Sequence, residues 1–144
     1  MRTIAQTLAG KPQSLIYSIH PESSVFEAIR RMAEKDVGAL IVQEGERLVG
    51  IVSERDYARK MVLCGRASAA TPVSIIMSSP VVTVSPSETI QHCLQLMSRG
   101  HMRHLPVVEA GRVIGMVSIG DLVKDIITEQ AELIDHLQKY IRGE

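Results

Sequence analysis

Apolar and polar positions along this chain follow two patterns, and each pattern occurs twice. From Val25 to about residue 36, apolar side chains recur every three or four residues, which is the spacing of a helix that buries one face. Ser23 or Ser24 offers this helix an N-cap. Two apolar runs rich in β-branched residues follow at residues 39–42 and 48–52, with a polar, glycine-containing turn between them. The pattern predicts a helix followed by a β-hairpin.

The second occurrence lies 65 residues further along the chain. Residues 20–57 align with residues 85–122 without a gap, and ten positions are identical, among them Gly50/Gly115, Ser53/Ser118 and Asp56/Asp121. An internal repeat of this length indicates two copies of one supersecondary unit. Neither copy has an apolar face large enough to enclose a core alone, so we expect the two sheets to pack together about a pseudo-twofold axis. The second copy is predicted to contain a strand at residues 81–84, a helix at 89–99, strands at 105–108 and 113–117, and a helix from about Gly120.

Each repeat is predicted to run strand, helix, strand, strand, helix, which makes the fold class α+β. In the first repeat the opening strand falls at residues 15–19 and the closing helix, with a serine cap and a terminal glycine, at residues 53–65. Residues 3–10 predict one or two helical turns in an arm outside the repeats. The predicted organisation is an N-terminal arm (1–13), repeat 1 (14–65), a linker (66–72), repeat 2 (73–128) and a C-terminal helix extension (129–144).

The closing helix of the second repeat is longer than its counterpart in the first. Its apolar residues recur at spacings of three and four from Leu122 to Ile141, with charged residues between them. Because such a stripe must be covered, we expect this helix to form a homodimer contact. The alternative is that the helix folds back on its own sheet. The sequence does not choose between a parallel and an antiparallel dimer.

Composition narrows the functional classes. The chain has 144 residues, a formal net charge of zero and a pI near 7.0, which argues against nucleic acid and anionic membrane as partners. Cys64 and Cys93 form no C-x-x-C pair and are expected to be buried thiols in a reducing compartment. We therefore expect a cytoplasmic protein, since no apolar run reaches the ~20 residues of a spanning helix and no signal-peptide pattern is present.

The repeated motif resembles that of a known family. The sequence G-h-h-S-x-x-D, with h apolar, occurs at residues 50–56 and again at 115–121, and it is accompanied by R-H-L-P-V at 103–107, V-x-x-I-M at 73–77 and T-V-S-P at 83–86. These residues resemble a stand-alone pair of cystathionine β-synthase type domains, the CBS-domain pair, over residues 14–128. The resemblance implies a regulatory module that binds AMP, ADP, ATP, S-adenosylmethionine or NAD(H) between its repeats and acts on a partner protein in trans.

The chemistry of an adenine nucleotide suggests roles for individual residues. Asp56 and Asp121 lie three residues after a serine at a predicted helix start, where a carboxylate can accept hydrogen bonds from a ribose diol. The alternative is that each aspartate only caps its helix. Ser53 and Ser118 are cap candidates that can also bind phosphate at the helix N-terminus. By sequence statistics alone the cap is favoured; with the resemblance, ribose binding by at least Asp121 is favoured.

Positive charge is expected mainly in the second repeat. Arg103 and His104 precede Pro106 at the edge of the predicted sheet, where an arginine fork suits phosphate and a histidine adds a pH-dependent hydrogen bond. Arg55 is the candidate in the first repeat, although a solvated helix surface is its ordinary environment. The residues nominated for the adenine slot are Tyr17, Ser18, His20 and Val25, then Thr83, Ser85 and Ile90, with Ile51 and Met116 beneath them. The resemblance groups His20 and Val25 with Asp121, and Ser85 and Ile90 with Asp56.

An enzyme is not expected. Cys93, His101 and His104 lack the spacing of a metal site, and no G-x-S-x-G, H-E-x-x-H or Walker motif occurs. No catalytic residue, catalytic cofactor or metal is therefore predicted. The rival to a nucleotide sensor is a ligand-free interaction module that dimerises through the C-terminal helix.

Overall fold

The structure is a computed structural model that describes residues 2–11 and 16–143. In chain order the elements are α1 (Ile4–Ala9), β1 (Ser18–Ile19), α2 (Val25–Lys35), β2 (Ala39–Glu44), β3 (Arg47–Ser53), α3 (Glu54–Tyr57), α4 (Ile90–Gly100), β4 (His104–Glu109), β5 (Arg112–Ser118) and α5 (Ile119–Ile141). A π-helical stretch, Ala58–Val62, continues α3, and a 3-10 turn spans Val73–Ile75. The α+β class is confirmed. In the part of the chain described here, no helix is long and apolar enough to cross a membrane.

The described residues form two compact units, each containing most of one repeat, and residues 73–82, predicted to open repeat 2, belong to the first. One unit is Leu15–Val82 and the other combines Met1–Ser14 with Thr83–Glu144. We call them the first-repeat unit and the second-repeat unit.

The first-repeat unit contains a three-stranded sheet in the order β1-β2-β3, in which β1 is parallel and β3 antiparallel to β2. Helix α2 begins at the Ser24 cap, whose hydroxyl accepts from the Glu27 N–H, and ends at Asp36 in a left-handed conformation. Its apolar face carries Val25, Ala28 and Met32 into a core shared with Leu40 and Val52. The helix and hairpin predicted from the hydrophobic pattern are therefore confirmed.

The second-repeat unit repeats this plan with the same register. Leu105 pairs with Val117, 65 residues beyond the pair Leu40 and Val52, and both hairpins shift register at the equivalent position. Thr89 caps α4 as Ser24 caps α2. The register of a hairpin decides which side chains face the core. Because the two hairpins have the same register, the motif residues of both repeats occupy equivalent positions.

The N-terminal segment, expected to lie outside the repeats as an arm, is part of the second-repeat unit. The Ile4 N–H donates to the Glu88 carbonyl and the Ala5 N–H to the Pro86 carbonyl, both at 2.9 Å. Ile4 is fully buried in the core formed by α4, β4, β5 and α5. The short apolar run at residues 4–8 is therefore part of this core. The 65-residue repeat does not predict this packing.

Three predicted elements are shorter than expected. The strand at residues 81–84 is reduced to a single bridge between Val84 and Val107. In the first repeat the Ile41 N–H donates to the Tyr17 carbonyl, but the equivalent residue of the second repeat is Pro106, which has no N–H to donate. The strand at 15–19 is limited to Ser18–Ile19, and Leu15 lies outside the described residues. The helix predicted at 53–65 is α3 with its π-helical continuation, which ends at Val62.

Candidate functional site

The two G-h-h-S-x-x-D motifs form the same local structure at the C-terminal ends of β3 and β5. In each motif the serine is the N-cap of the following helix and the aspartate is its third residue, and the two side chains form a reciprocal capping box. The Ser118 N–H donates to Asp121 Oδ2 at 2.9 Å, and the Asp121 N–H donates to Ser118 Oγ at 3.1 Å. Both aspartates therefore cap helices, which was the alternative to ribose binding.

Helix capping engages only one of the two carboxylate oxygens of Asp121. Oδ2 accepts from the Ser118 N–H and forms an ion pair at 2.9 Å with Lys11, whose ammonium also donates to the Met116 carbonyl. Among the hydrogen bonds and ion pairs that the described residues make with Asp121, none uses Oδ1 as acceptor. The side chain is 26% exposed, so one carboxylate oxygen is left to accept from a ligand.

The charge of Asp121 is stabilised by its neighbours. Partial burial by itself raises the pKa of this carboxyl, but the Ser118 N–H and the Lys11 ammonium together outweigh it, and the pKa lies below its ordinary value. Asp121 is therefore ionised at neutral pH. An ionised carboxylate accepts strong hydrogen bonds from hydroxyl groups.

The carboxylate of Asp56 is more fully occupied. Its Oδ2 accepts from the Ser53 N–H at 2.9 Å and from the Ser53 hydroxyl at 3.1 Å, and its Oδ1 pairs with Lys60 at 3.1 Å. The side chain of Asp56 is 15% exposed, less than that of Asp121. Of the two equivalent aspartates, Asp121 is thus the better acceptor for a ligand.

The helix N-termini offer less to an anion than the sequence indicated. At α5 the N–H of Ile119 donates to the Arg103 carbonyl at 2.8 Å, and the N–H groups of Ser118 and Asp121 are used in the capping box. At α3 the N–H of Glu54 donates to the Gly38 carbonyl at 3.0 Å in the same way. Because these donors are already satisfied, phosphate binding at either serine would have to use the side chains nearby.

The side chains near the motif serine are more favourable for phosphate binding in the second repeat than in the first. His104 begins β4 directly opposite Ser118 on β5, and exposed Arg103 precedes it. Burial lowers the pKa of His104, and the charges of Lys11 and Arg103 lower it further against the opposing effect of Asp121. The imidazole is therefore neutral at pH 7, where it carries one donor and one acceptor.

The remaining nominated residues divide into buried and accessible ones. Val25 and Ile90 have no exposed surface and lie in the two cores, and Pro106 is buried in β4. His20 is exposed, and its Nδ1 accepts from the Glu22 N–H at 3.0 Å. Ser85 shares a hydrogen bond with Ser87 at 2.9 Å. The side chains of Tyr17, Ser18, Arg55, Ile51 and Met116 are partly buried, Thr83 is exposed, and the Ser18 carbonyl accepts from Arg31.

Lys11 and Lys60 are the charged groups at the motifs that sequence reasoning did not assign. Lys60 lies four residues after Asp56, a spacing at which opposite charges meet on a helix, so it was readable from the sequence. Lys11 meets Asp121 across 110 residues of chain. No local pattern encodes that contact, because it depends on α1 packing into the second-repeat unit.

The histidine and cysteine residues do not form a reactive group. Burial, followed by the charge of Glu88, raises the pKa of the Cys93 thiol to about 11, so the thiolate that would act as nucleophile or metal ligand is suppressed. Within residues 2–11 and 16–143, no three His, Cys, Asp or Glu side chains are grouped in a way that could hold a metal ion. Cys64, expected to be buried, is exposed.

We expect the stability of the protein to depend on pH through His104. The pKa of His104 in the folded chain is lower than the ordinary 6.5, so below about pH 6.5 the unfolded chain binds a proton that the folded chain does not. The free energy of unfolding should therefore be highest above pH 6.5 and fall as the pH drops below that value. Urea unfolding at pH 7.5 and 5.5 measures this, and the fall should be smaller in His104→Gln.

His136→Gln is the matched control, because His136 lies exposed on α5. An equal pH dependence in His104→Gln and in the unchanged protein would contradict the assignment. The charged groups facing His104 are Asp121, Lys11 and Arg103. Asp121, whose pKa is depressed, contributes stability that is lost only as the pH falls through its lowered pKa, below the 3.8 of an ordinary carboxyl.

The repeated helix-hairpin units with paired capping-box motifs define a class of protein. A model of the CBS domain matches residues 14–63 and 73–128. The chain therefore belongs to the CBS domain family and carries two copies of the domain in tandem.

Relatives with similar sequences are CBS-domain proteins. The chain is 39% identical over 127 residues to the CBS domain-containing protein CBSX3, mitochondrial, of Arabidopsis thaliana, an alignment that covers 85% of this chain and 62% of that protein. It is 31% identical over 116 residues to the CBS domain-containing protein YhcV of Bacillus subtilis, covering 81% and 82%. This chain thus spans somewhat less than two thirds of the Arabidopsis protein.

A solved structure shows the same fold. The protein with CBS domains from Burkholderia ambifaria MC40-6, described as a candidate for signal transduction, has a TM-score of 0.86 and 49% sequence identity to this chain, with 90% of this chain and 96% of that chain covered. The resemblance inferred from the repeated motif is confirmed.

Proposed function

We propose that this chain is a regulatory module that binds an adenosine-containing ligand and acts by a change of conformation on a partner protein in trans. The observation that carries the proposal is the ionised Asp121 carboxylate, which keeps Oδ1 for a ligand while Oδ2 is held by Ser118 and Lys11. Membership of the CBS domain family supports it. The second support is that the Burkholderia protein, which has a similar structure, is described as a candidate for signal transduction.

In the proposed complex the ribose diol donates to Asp121, and the phosphate lies toward Arg103 and His104. Neutral His104 can donate one hydrogen bond to a phosphate oxygen, while Arg103 supplies the charge. Lys11 holds the carboxylate in place and lowers the local negative potential that would otherwise repel a phosphate. The remaining proposed contacts are Tyr17, Ser18, His20, Ile51, Ser53, Arg55, Asp56, Thr83, Ser85, Met116 and Ser118, with Val25, Ile90 and Pro106 beneath them.

The expected affinity is that of a metabolite sensor. An AMP-sized ligand of roughly 23 heavy atoms at ~0.3 kcal/mol per atom binds with about 7 kcal/mol, a dissociation constant on the order of 10 µM. A ligand changes the conformational equilibrium only by its differential affinity for the two states. AMP, ADP, ATP and NAD(H) all supply the ribose diol and the phosphate, whereas S-adenosylmethionine supplies the diol and has a carboxylate but no phosphate. A dinucleotide requires further contacts for its nicotinamide half.

Native mass spectrometry of freshly purified protein followed by thermal shift tests the proposal. We expect a bound adenosine compound, or a rise in Tm that is selective among AMP, ADP, ATP, NAD⁺, NADH and S-adenosylmethionine, because a ligand that binds only the folded state stabilises it by mass action. Inosine monophosphate is the control for the adenine ring. A ligand-free mass with no shift from any of the six would instead favour the interaction module.

The interaction module is kept as a second candidate because of α5. From Gln130 to Gly143 every residue of the chain is exposed, including Leu133, Ile134 and Leu137. A surface of this kind marks a protein contact whether or not a nucleotide binds. The cytoplasmic location remains a prediction, since the Arabidopsis relative is named as mitochondrial.

A further inference from the structure

The N-terminal segment, residues 2–11, is attached to the second-repeat unit near both of its ends. Near its beginning, Ile4 is fully buried in the core. At its end, the Lys11 ammonium donates to the Met116 carbonyl and pairs with Asp121 Oδ2, both at 2.9 Å. The first attachment rests on apolar burial, whereas the second is made by a charged side chain at the motif that is proposed to bind the ligand.

Helix α1 lies between these attachments and packs on the elements that carry Asp121. Leu8 approaches β5 so closely that a Cβ on Gly115 would come within 2.8 Å of its Cδ2 atom, so the glycine leaves the space that Leu8 fills. The Thr7 hydroxyl donates to Asp125 Oδ2 at 2.5 Å, one turn after Asp121 on α5. The position of α1 is therefore set by the same strand and helix that position the motif carboxylate.

The helical state of α1 depends on these contacts. The helix has six residues, and an isolated helix shorter than about 12 residues is marginal in water. Chain termini generally open at a lower free energy than the whole domain. When residues 2–11 open, Lys11 leaves Asp121 with them.

Lys11 changes the charge that the second repeat presents to a ligand. Asp121 carries one negative charge, Lys11 and Arg103 carry one positive charge each, and His104 is neutral at pH 7. With Lys11 in place this group of side chains has a net charge of +1, and without Lys11 its net charge is zero. A phosphate monoester carries a charge of about −1.5 to −2 at pH 7, so it binds more favourably when the segment is attached.

We propose that ligand binding at Asp121 and attachment of residues 2–11 are coupled through Lys11, so that each stabilises the other. The coupling rests on the proposed function, and it identifies residues 2–11 as the element that the ligand controls. The attached segment supplies a cation to the phosphate, and the bound phosphate gives Lys11 a further anion. Because coupling between two equilibria is reciprocal, a ligand that binds the attached state more tightly must make the segment open less often.

The sign of the coupling follows from the two oxygens of the Asp121 carboxylate. Lys11 is bound to Oδ2, whereas no hydrogen bond or ion pair made by the described residues uses Oδ1. A ribose diol can therefore bind Oδ1 while Lys11 stays in place. If both groups needed the same oxygen, the ligand would displace Lys11 and the segment would open more often.

Hydrogen exchange of the ligand-free chain, followed by NMR, tests the attachment first. The reporters are the N–H groups of Ile4 and Ala5, which donate to the loop before α4, and the amides of β4 and β5 report on global unfolding. Lys11→Met should raise exchange at the reporters about two- to fivefold, the effect expected for a partly exposed ion pair. Lys11→Arg keeps the charge and should restore most of the protection.

Lys124→Met is the matched control for Lys11→Met. It removes the same charge from an exposed position on α5 in the same unit, and it should leave exchange at Ile4 and Ala5 unchanged. Equal exchange in Lys11→Met and in the unchanged chain would show that Lys11 does not hold the segment, and it would overturn the coupling.

AMP and adenosine are the probes for the coupling itself. Saturating AMP should slow exchange at the two reporters at least about threefold in the unchanged chain and much less in Lys11→Met. Adenosine, which has the diol and no phosphate, should slow exchange less than AMP does at equal occupancy. The dissociation constant of AMP, measured by isothermal titration calorimetry, should rise at least about threefold in Lys11→Met and stay the same in Lys124→Met.

Two results would overturn the coupling and leave the proposed function intact. They are an equal affinity of AMP for Lys11→Met and for the unchanged chain, and an exchange at Ile4 and Ala5 that bound AMP leaves unchanged or makes faster. If AMP did not bind at all, the coupling would fail. The thermal shifts with the other adenosine compounds would then decide separately whether the proposed function fails as well.

Discussion

Replacing Asp121 with alanine is expected to weaken adenine-nucleotide binding by ~2–4 kcal/mol, or about 30- to 1,000-fold. The variant removes the carboxylate that is proposed to accept from the ribose diol. It also removes the ion-pair partner of Lys11, whose ammonium lies 2.9 Å from Asp121 Oδ2 in the unchanged protein. Isothermal titration calorimetry with the nucleotide identified by thermal shift measures the loss.

The fold supplies a matched control for this variant. Asp56 occupies the equivalent place in an equivalent capping box, but its two carboxylate oxygens are engaged by Ser53 and Lys60. Asp56→Ala therefore removes a similar cap with a smaller expected loss of affinity. Ser118→Ala separates the two roles further, because it removes the side-chain cap and keeps the Asp121 carboxylate. If Asp121→Ala retained the affinity of the unchanged protein, the proposed ribose contact would be abandoned.

Replacing Ile4 with alanine is expected to lower the free energy of unfolding by ~2–5 kcal/mol, the cost of a cavity in a packed core. Ile4 is fully buried among Ile90, Leu105 and Leu122. The N–H groups of Ile4 and Ala5 are bonded to the loop before α4, which limits the collapse of α1 into the space. Urea unfolding at pH 7.5 measures the change.

Ile119→Ala is the control for Ile4→Ala. Ile119 lies in the same unit but is 42% exposed at the start of α5, so its loss should cost well under ~1 kcal/mol. Equal stabilities for the two variants would mean that α1 does not belong to the cooperative core of the second-repeat unit. Since α1 carries the chain to Lys11, Ile4→Ala should also weaken nucleotide binding under the proposed function.

Local sequence patterns determined most of the secondary structure. The hydrophobic spacing of residues 25–35 and the serine and threonine caps predicted α2 and α4, because a helix core and its first N–H groups are satisfied within a few residues of chain. The 65-residue repeat predicted that Asp56 and Asp121 occupy equivalent places, and the matching hairpin registers confirm it. The motif also carried the family resemblance.

Tertiary structure decided what distinguishes the two copies. Packing of Ile4 brings Lys11 to Asp121, whereas Asp56 takes its lysine from its own helix at Lys60. The pKa of His104 depends on burial, on the distant charges of Asp121 and Lys11 and on the neighbouring Arg103, so the sequence could name the residue but not its protonation state. The segment at 81–84, although rich in β-branched residues, forms only one bridge, because Pro106 on the neighbouring strand has no N–H to donate. Periodicity and caps act over a few residues and can be read from the chain, whereas a charge at a site is set by every group the fold brings near it.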